Sequence, residues 1–394
     1  MNKQLIDFIT QNYNNSLLTP RIIQSSQSAW FKIDNKKVLN LCSSHYLGLA
    51  VNDQLKKAAI STIKTWGLGT GYRTLAGTNS LNIELEEKIA KFKKAEKAVV
   101  FPSGYLANMA AIQTIFGKDD IVISDELNHA SIIDAVRLSG IKNKYIYRHR
   151  DMKHLEDILT VIARNPAERG TKQSLPKILI VTDGVFSMDG DLAPLPEIIK
   201  LAKKYGAITM VDDAHGEGVM GEGQGTAAHL GVRGKIDIEV GTLSKAFSVI
   251  GGFITGKKEL IDFYKQKARQ FMFTSAMTAP DTAALLEAVK ILQKSDNLVN
   301  KLWQNTRLLK SSLKAAGFDI GESESPITPI MLGDEDLAVR FAAELFKQGV
   351  FATSIRFPMV PRGKARIRMI PSASHSKADL EFAIRKIIKI GKKL

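Results

Sequence analysis

The sequence predicts an α/β protein, with a large domain built on a central, mostly parallel sheet between helices and a smaller C-terminal α+β domain, on three observations. Between about residues 95 and 255, short apolar runs alternate with helical patterns, as strand–helix units do when layered on one sheet. After about residue 285 the pattern changes to longer helical stretches with a few short strands. Several apolar runs also end in residues of unusual chemistry, and in open α/β sheets ligands sit at the carboxyl ends of the strands.

Taken in order, residues 1–45 form an N-terminal segment ahead of a large domain assigned to 46–285. Its expected strands are AVVF (98–101), DIVIS (120–124), KILIV (177–181), AITMV (207–211), IDIEVG (236–241) and GGFITG (251–256). Ser103-Gly104 follow the first, Asp183-Gly184 the third, Asp212 the fourth and Thr242 to Lys245 the fifth, so one site would gather them. The stretch 165–176 is polar and broken by proline and glycine, and reads as an exposed loop. The smaller domain, 286–394, reads as a helix, a strand (TPIMLG), a helix (DLAVRFAAELFKQG), two short strands (VFATSIRF and ARIRMI) and a last helix from near Ser376. In that last helix Leu380, Ile384, Ile387 and Ile388 line one apolar face, which assigns it to packing.

A chain of 394 residues with 44% hydrophobic and 24% charged residues suits a two-domain soluble enzyme. The N-terminus lacks the apolar stretch of a secretory signal and no run is long enough to span a bilayer, which reads as cytoplasmic with no membrane partner. The single cysteine, Cys42, excludes an internal disulfide and a thiolate metal cluster, and no metal is expected. The net charge of +15 would attract polyanions. The lysines are scattered singly or in pairs with no aromatic interleaving, however, which argues against a nucleic-acid partner.

Lys245, in GTLSKAF, follows an apolar strand and precedes Gly251-Gly252, which puts it on a turn at the sheet's edge where its side chain can enter a cleft. A lone lysine is nearly always a surface residue. Partial burial beside another cation lowers its pKa, though, and makes it a nucleophile toward carbonyls, with pyridoxal phosphate the commonest cofactor held that way. Such a cofactor needs a carboxylate at its pyridine nitrogen to act as an electron sink, and Asp212 closes a strand about one helix and one strand earlier. His215 could reach the phenolic oxygen, although two acids and a histidine capping a helix would explain VDDAH equally well. Gly104, with Ser103 before it, opens a helical pattern whose first N–H groups can cradle a phosphate, and Thr242 offers a hydroxyl to the same group. His129, after another strand, could stack on a pyridine ring, or be an ordinary histidine at a helix N-terminus. Arg366 and Arg368 alternate in ARIRMI and share a strand face. One can clamp a substrate carboxylate bidentately, while an interdomain salt bridge fits at least one of the pair.

SDELNHASIIDAVRLS, VTDGVFSMDGDLAPL, VDDAHGEGV, GTLSKAF followed by GG, FTSAMTAP and KARIRM together resemble the α-oxoamine synthases, in order and over nearly the whole chain. The resemblance implies a fold-type I pyridoxal-phosphate transferase of the aspartate aminotransferase type. It implies condensation of a small amino acid, glycine or alanine, with an acyl-CoA in a homodimer whose active sites are shared between subunits. By position, Lys245 would be the Schiff-base lysine and the base at Cα, Asp212 the pyridine-nitrogen partner, and His215 the partner of the phenolic oxygen. His129 would stack on the ring and Ser187 would line the pocket. The phosphate would be held by the backbone of Gly104 and Tyr105, Thr242, and Thr274 and Ser275 of the second subunit, with Ser103 also at the cofactor and Arg368 clamping the substrate carboxylate. The family usually carries Asn-Asn or Asn-Asp before Tyr-Leu-Gly, whereas this chain reads Ser44-His45-Tyr46-Leu47-Gly48. The shorter Ser44 would then hold the carboxylate differently or through water.

Among the family's activities, SDELNHASIIDAVRLS, VTDGVFSMDG and the C-terminal PITPIMLGDEDLAVRFAAELFKQGVFA look most like the glycine C-acetyltransferase branch, which forms 2-amino-3-ketobutyrate. The alternative is 8-amino-7-oxononanoate synthase, which joins alanine to a pimeloyl thioester with decarboxylation. Aminolevulinate synthase, suggested by RTLAGT, and serine palmitoyltransferase stand further off. A pyridoxal-phosphate aminotransferase would share Lys245 and Asp212 but ignore CoA, and a non-catalytic basic binding protein would hold no chromophore.

Overall fold

The computed structural model describes residues 2–12, 20–164 and 176–393, so positions 165–175 of the expected exposed loop lie outside the described residues. Strands β1 (Trp30–Ile33) and β2 (Lys36–Asn40) form an antiparallel hairpin. The central sheet follows with β3 (Lys97–Phe101), β4 (Ile121–Asp125), β5 (Asn143–Tyr147), β6 (Ile178–Asp183), β7 (Ile208–Asp212), β8 (Ile238–Thr242) and β9 (Gly252–Gly256). These seven are ordered β3-β9-β8-β7-β6-β4-β5. All pair in parallel except β9, which runs antiparallel to both of its neighbours.

The apolar runs make strands because both faces of this sheet are covered. Leu179 and Val181 of β6 join one core cluster with Val122, Met210 and Val240, while Ile180 joins Ile121, Ile123 and Val211 in another on the opposite face. Burial on both sides calls for near-continuous Val, Ile and Leu. Strand β5, which the apolar runs did not reveal, is the outer strand beside β4. It reads NKYIY, with Lys144 and Ile146 exposed, so it carries no apolar block.

The C-terminal part holds β10 (Thr328–Gly333), β11 (Val350–Phe351), β12 (Thr353–Ile355) and β13 (Ala365–Met369). VFATSIRF is two strands rather than one. Val350–Phe351 pairs in parallel with β2 and Thr353–Ile355 pairs antiparallel with β13, with Ala352 buried at the corner between the two small sheets. Strand β2 thereby ties the N-terminal segment to the C-terminal part, and Leu39 and Leu41 share one core with Leu309, Leu345, Ile367, Leu380 and Ile387. The single helix expected after residue 285 is instead two, Ala279–Lys294 and Asn297–Ala315. The last helix, Lys377–Gly391, opens with a capping box between Ser376 and Asp379 and buries Leu380, Ile384 and Ile387. No helix among the described residues is long and apolar enough to cross a membrane.

Candidate active site

The parallel register lays Asp183 directly beside Asp212 at the carboxyl ends of β6 and β7, with Asp212 opposite Val240 of β8. The alternation that buries Val181 and Met210 on one face points both carboxylates to that same face, under the helix Gly104–Gln113. A cavity of about 250 Å³ opens there, lined by residues that include Ser103, Gly104, Tyr105, His129, Ser187, Asp212, His215, Thr242 and Lys245. A larger cavity of about 460 Å³ lies elsewhere, among Lys93, Glu239 and Lys257. It contains none of the residues singled out from the sequence, so the chemistry is assigned to the smaller one.

Lys245 follows the end of β8 and lines the cavity. Burial is the largest influence on it and holds it at about 8; Asp212 and Asp183 oppose the shift and Arg368 adds to it. A free lysine titrates near 10.4. The neutral amine is the nucleophile, so its capture of added pyridoxal phosphate is expected to accelerate with a midpoint near pH 8, measured as the pH dependence of the appearance of visible absorbance. A midpoint near that of a free lysine would contradict this placement.

Burial also pushes Asp183 well above the usual carboxylate range, and the neighbouring charge of Asp212 adds to the effect. Asp212 accepts from Asn108 Nδ2 at 2.6 Å and from the Ala214 N–H at 3.0 Å. The two acids of VDDAH diverge: Asp212 faces the cavity, while Asp213 accepts from the backbone and hydroxyl of Thr226. Asn108 also donates to Ser131 Oγ at 2.8 Å, and Ser131 Oγ lies 2.7 Å from His129 Nδ1. The Ser131 N–H donates to the same Nδ1 at 3.2 Å as a helix cap. Nδ1 of His129 is therefore an acceptor, and its ring proton sits on Nε2. Burial keeps this histidine below its ordinary pKa, Asp212 opposing and Lys245 reinforcing the shift.

The donor set fits pyridoxal phosphate. The helix Gly104–Gln113 starts at the cavity, with Ser103 Oγ capping the Leu106 N–H, and its first N–H groups lie at the positive end of the helix. A Cβ on Gly104 would lie 3.0 Å from the Thr242 side chain, and one on Gly252 would meet the Gly104 nitrogen at 2.5 Å. These glycines thus preserve a close cradle for a phosphate. Gly252→Ala is expected to displace the helix start, destabilise the fold by about 1–3 kcal/mol and weaken cofactor retention, as read by thermal unfolding with and without pyridoxal phosphate.

Other expected residues lie outside this cavity. Thr274 and Ser275 belong to a separate small pocket with Arg73 and Gln270, where Thr274 Oγ1 donates to the Gln270 carbonyl. Ser44 is half-buried and is not among the cavity-lining residues. Arg366 is buried and pairs with Asp189, one residue before Gly190, so it is the structural arginine of the pair. Arg368 keeps a buried Nε without a partner among the described residues and lies close enough to Lys245 and His215 to lower both. Sequence reasoning did not assign roles to Asn108, Ser131 or Asp183. Asn108 had left a signal, a polar residue inside the apolar helix YLANMAAI.

A large sheet with a nucleophilic lysine, a buried carboxylate and a phosphate cradle at its carboxyl edge defines a pyridoxal-phosphate enzyme of fold type I. The family model for aminotransferase class I and II matches residues 36–387. The chain is 56% identical over 376 residues to an 8-amino-7-oxononanoate synthase of Thermosipho melanesiensis, covering 95% of this chain and 93% of the relative. It is 55% identical over 380 residues to one of Petrotoga mobilis, covering 96% and 94%. Among solved structures, serine palmitoyltransferase from S. paucimobilis with a bound PLP–myriocin aldimine superposes with a TM-score of 0.89 at 30% identity, covering 99% of this chain and 97% of that one. The chain belongs to the aminotransferase class I and II family, and within it to the α-oxoamine synthases, pyridoxal-phosphate-dependent acyltransferases.

Proposed function

We propose that the protein is an 8-amino-7-oxononanoate synthase, joining alanine to a pimeloyl thioester with release of CoA and carbon dioxide in biotin synthesis. The name shared by relatives 56% and 55% identical over nearly the whole chain carries this reading. The sequence resemblance placed glycine C-acetyltransferase first and this activity second, and the relatives' names support the second.

Bound pyridoxal phosphate supplies the electron sink for a carbanion at Cα of the amino acid. Lys245 would anchor it and is placed to serve as the base at Cα, its amine held by burial at about 8. Asp212 holds a proton at the pyridine nitrogen, and Asn108 fixes its carboxylate. His129 would pack against the ring and His215 would offer a proton to the phenolic oxygen, both lining the cavity. The backbone of Gly104 and Tyr105, with Ser103 and Thr242, holds the phosphate, and Ser187 closes the cavity wall. Arg368 takes the substrate carboxylate, the role for which its free Nε is suited. Arg368→Gln is expected to raise KM for the amino acid about 10–100-fold, the worth of a charge-assisted hydrogen bond, with a smaller change in kcat.

The working unit in this reading is a homodimer. Tyr72, Leu75 and Phe273 leave large apolar side chains exposed where residues 70–72 pair with 275–276, and exposed apolar patches mark interfaces. Thr274 and Ser275 would then reach the phosphate in the partner's cavity. Carboxyl-labelled alanine tests the activity: label appearing as carbon dioxide in step with thiol release supports it, and label retained in the product overturns it.

A further inference from the structure

Tyr46 and His215 are far apart in sequence, but Tyr46 Oη lies 2.7 Å from His215 Nδ1, with the rings edge to face. Tyr46 is held by the turn that follows it. Gly48 adopts φ 69° and its N–H donates to the His45 carbonyl, while the Ala373 N–H donates to the Tyr46 carbonyl. The Tyr46 side chain is fully buried and His215 is 6% exposed. His215 lines the cavity and Tyr46 sits behind it.

Distance alone allows either atom to donate, but the count of donors and acceptors decides. Tyr46 Oη has no other hydrogen-bond partner among the described residues. If Nδ1–H were the donor, the single phenolic hydrogen would be stranded in a dry site, at a cost of about 1–3 kcal/mol. If the hydroxyl donates, both groups are satisfied and the imidazole proton resides on Nε2. Neither group ionises near neutral pH. Burial, then Lys245, Arg368 and His129, holds His215 well below its ordinary pKa, and burial pushes Tyr46 up.

We infer that Tyr46 is a positioning residue that locks His215 in the Nε2–H tautomer, so that the face of the ring system turned to the cavity is a hydrogen-bond donor for an anionic oxygen. The tautomer follows from the protein alone, and its use on the phenolic oxygen rests on the pyridoxal-phosphate reading. Two neutral histidines, His129 and His215, then present Nε2–H groups to one cavity, with the cations Lys245 and Arg368 beside them.

The test is nitrogen NMR of the cofactor-free protein with labelled histidine, the His215 signals being assigned by their loss in His215→Gln. The expected result is an unprotonated Nδ1 and a protonated Nε2 on His215, with the Nδ1–H tautomer appearing in Tyr46→Phe while the other histidines are unchanged. A protonated Nδ1 in the unaltered protein, or an identical tautomer in Tyr46→Phe, overturns the inference. Addition of pyridoxal phosphate separates the two ideas. A correct tautomer in a protein that takes up no cofactor sinks the cofactor reading and leaves the tautomer standing. Uptake with His215 in the Nδ1–H form sinks the tautomer alone.

Discussion

Replacing Lys245 by alanine is expected to lower kcat by about 10³-fold or more and to leave a protein whose cofactor is lost on gel filtration. The size follows from two roles falling on one amine. It would anchor the cofactor, and it is the amine that lines the cavity beside two histidines held below their ordinary pKa, His129 and His215. The substitution also removes the cation that offsets two adjacent carboxylates. Asp183, which Lys245 holds down, should therefore rise still further. Steady-state thiol release and the visible spectrum after desalting measure the two effects. Activity within tenfold of the unaltered enzyme would sink the role of Lys245.

The second large effect is expected at Asp212→Asn, where turnover should fall by about 10²–10³-fold, the scale of a lost preorganised charge in a dry site. This variant has a signature that a merely structural defect would not give. The charge of Asp212 favours the protonated form of Lys245, so removing it moves that amine further below about 8. Capture of pyridoxal phosphate near pH 7 should then become faster while turnover becomes slower. The same substitution relieves Asp183, whose upward shift depends in part on Asp212. A variant in which capture and turnover decline together would show that Asp212 serves only the architecture of the strand end.

Much of this site was legible in the sequence because a parallel sheet writes its chemistry at strand ends. Asp212 and Thr242 close their strands, and the helix after Ser103 begins where β3 ends, so period and punctuation located three walls of the cavity. Lys245 was legible through the same logic. What escaped depends on packing between distant segments. Asn108 serves Asp212 because the helix Gly104–Gln113, apolar but for a few positions, lies across the strand ends. Tyr46 reaches His215 only through the turn at Gly48. The pairing of β2 with β11 joins residues 39 and 350 and leaves no local signal in either segment. Strand β5 was missed for another reason: beside β4 at the sheet's margin, it alternates half-buried and exposed positions and has no apolar run to detect. Arg366 and Arg368 show the limit of pattern reading. Alternation put them on one face, but only the structure separates the one paired with Asp189 from the one with a free Nε.

The most direct measurement is thiol release by the purified, cofactor-loaded protein offered alanine with a pimeloyl thioester and, separately, glycine with acetyl-CoA. Rapid thiol release with the first pair, at least tenfold above the second and abolished by Lys245→Ala, is the predicted result. Turnover confined to glycine and acetyl-CoA would contradict the proposed activity while preserving the family chemistry. Release with neither pair by a protein that holds pyridoxal phosphate would contradict the acyl transfer itself.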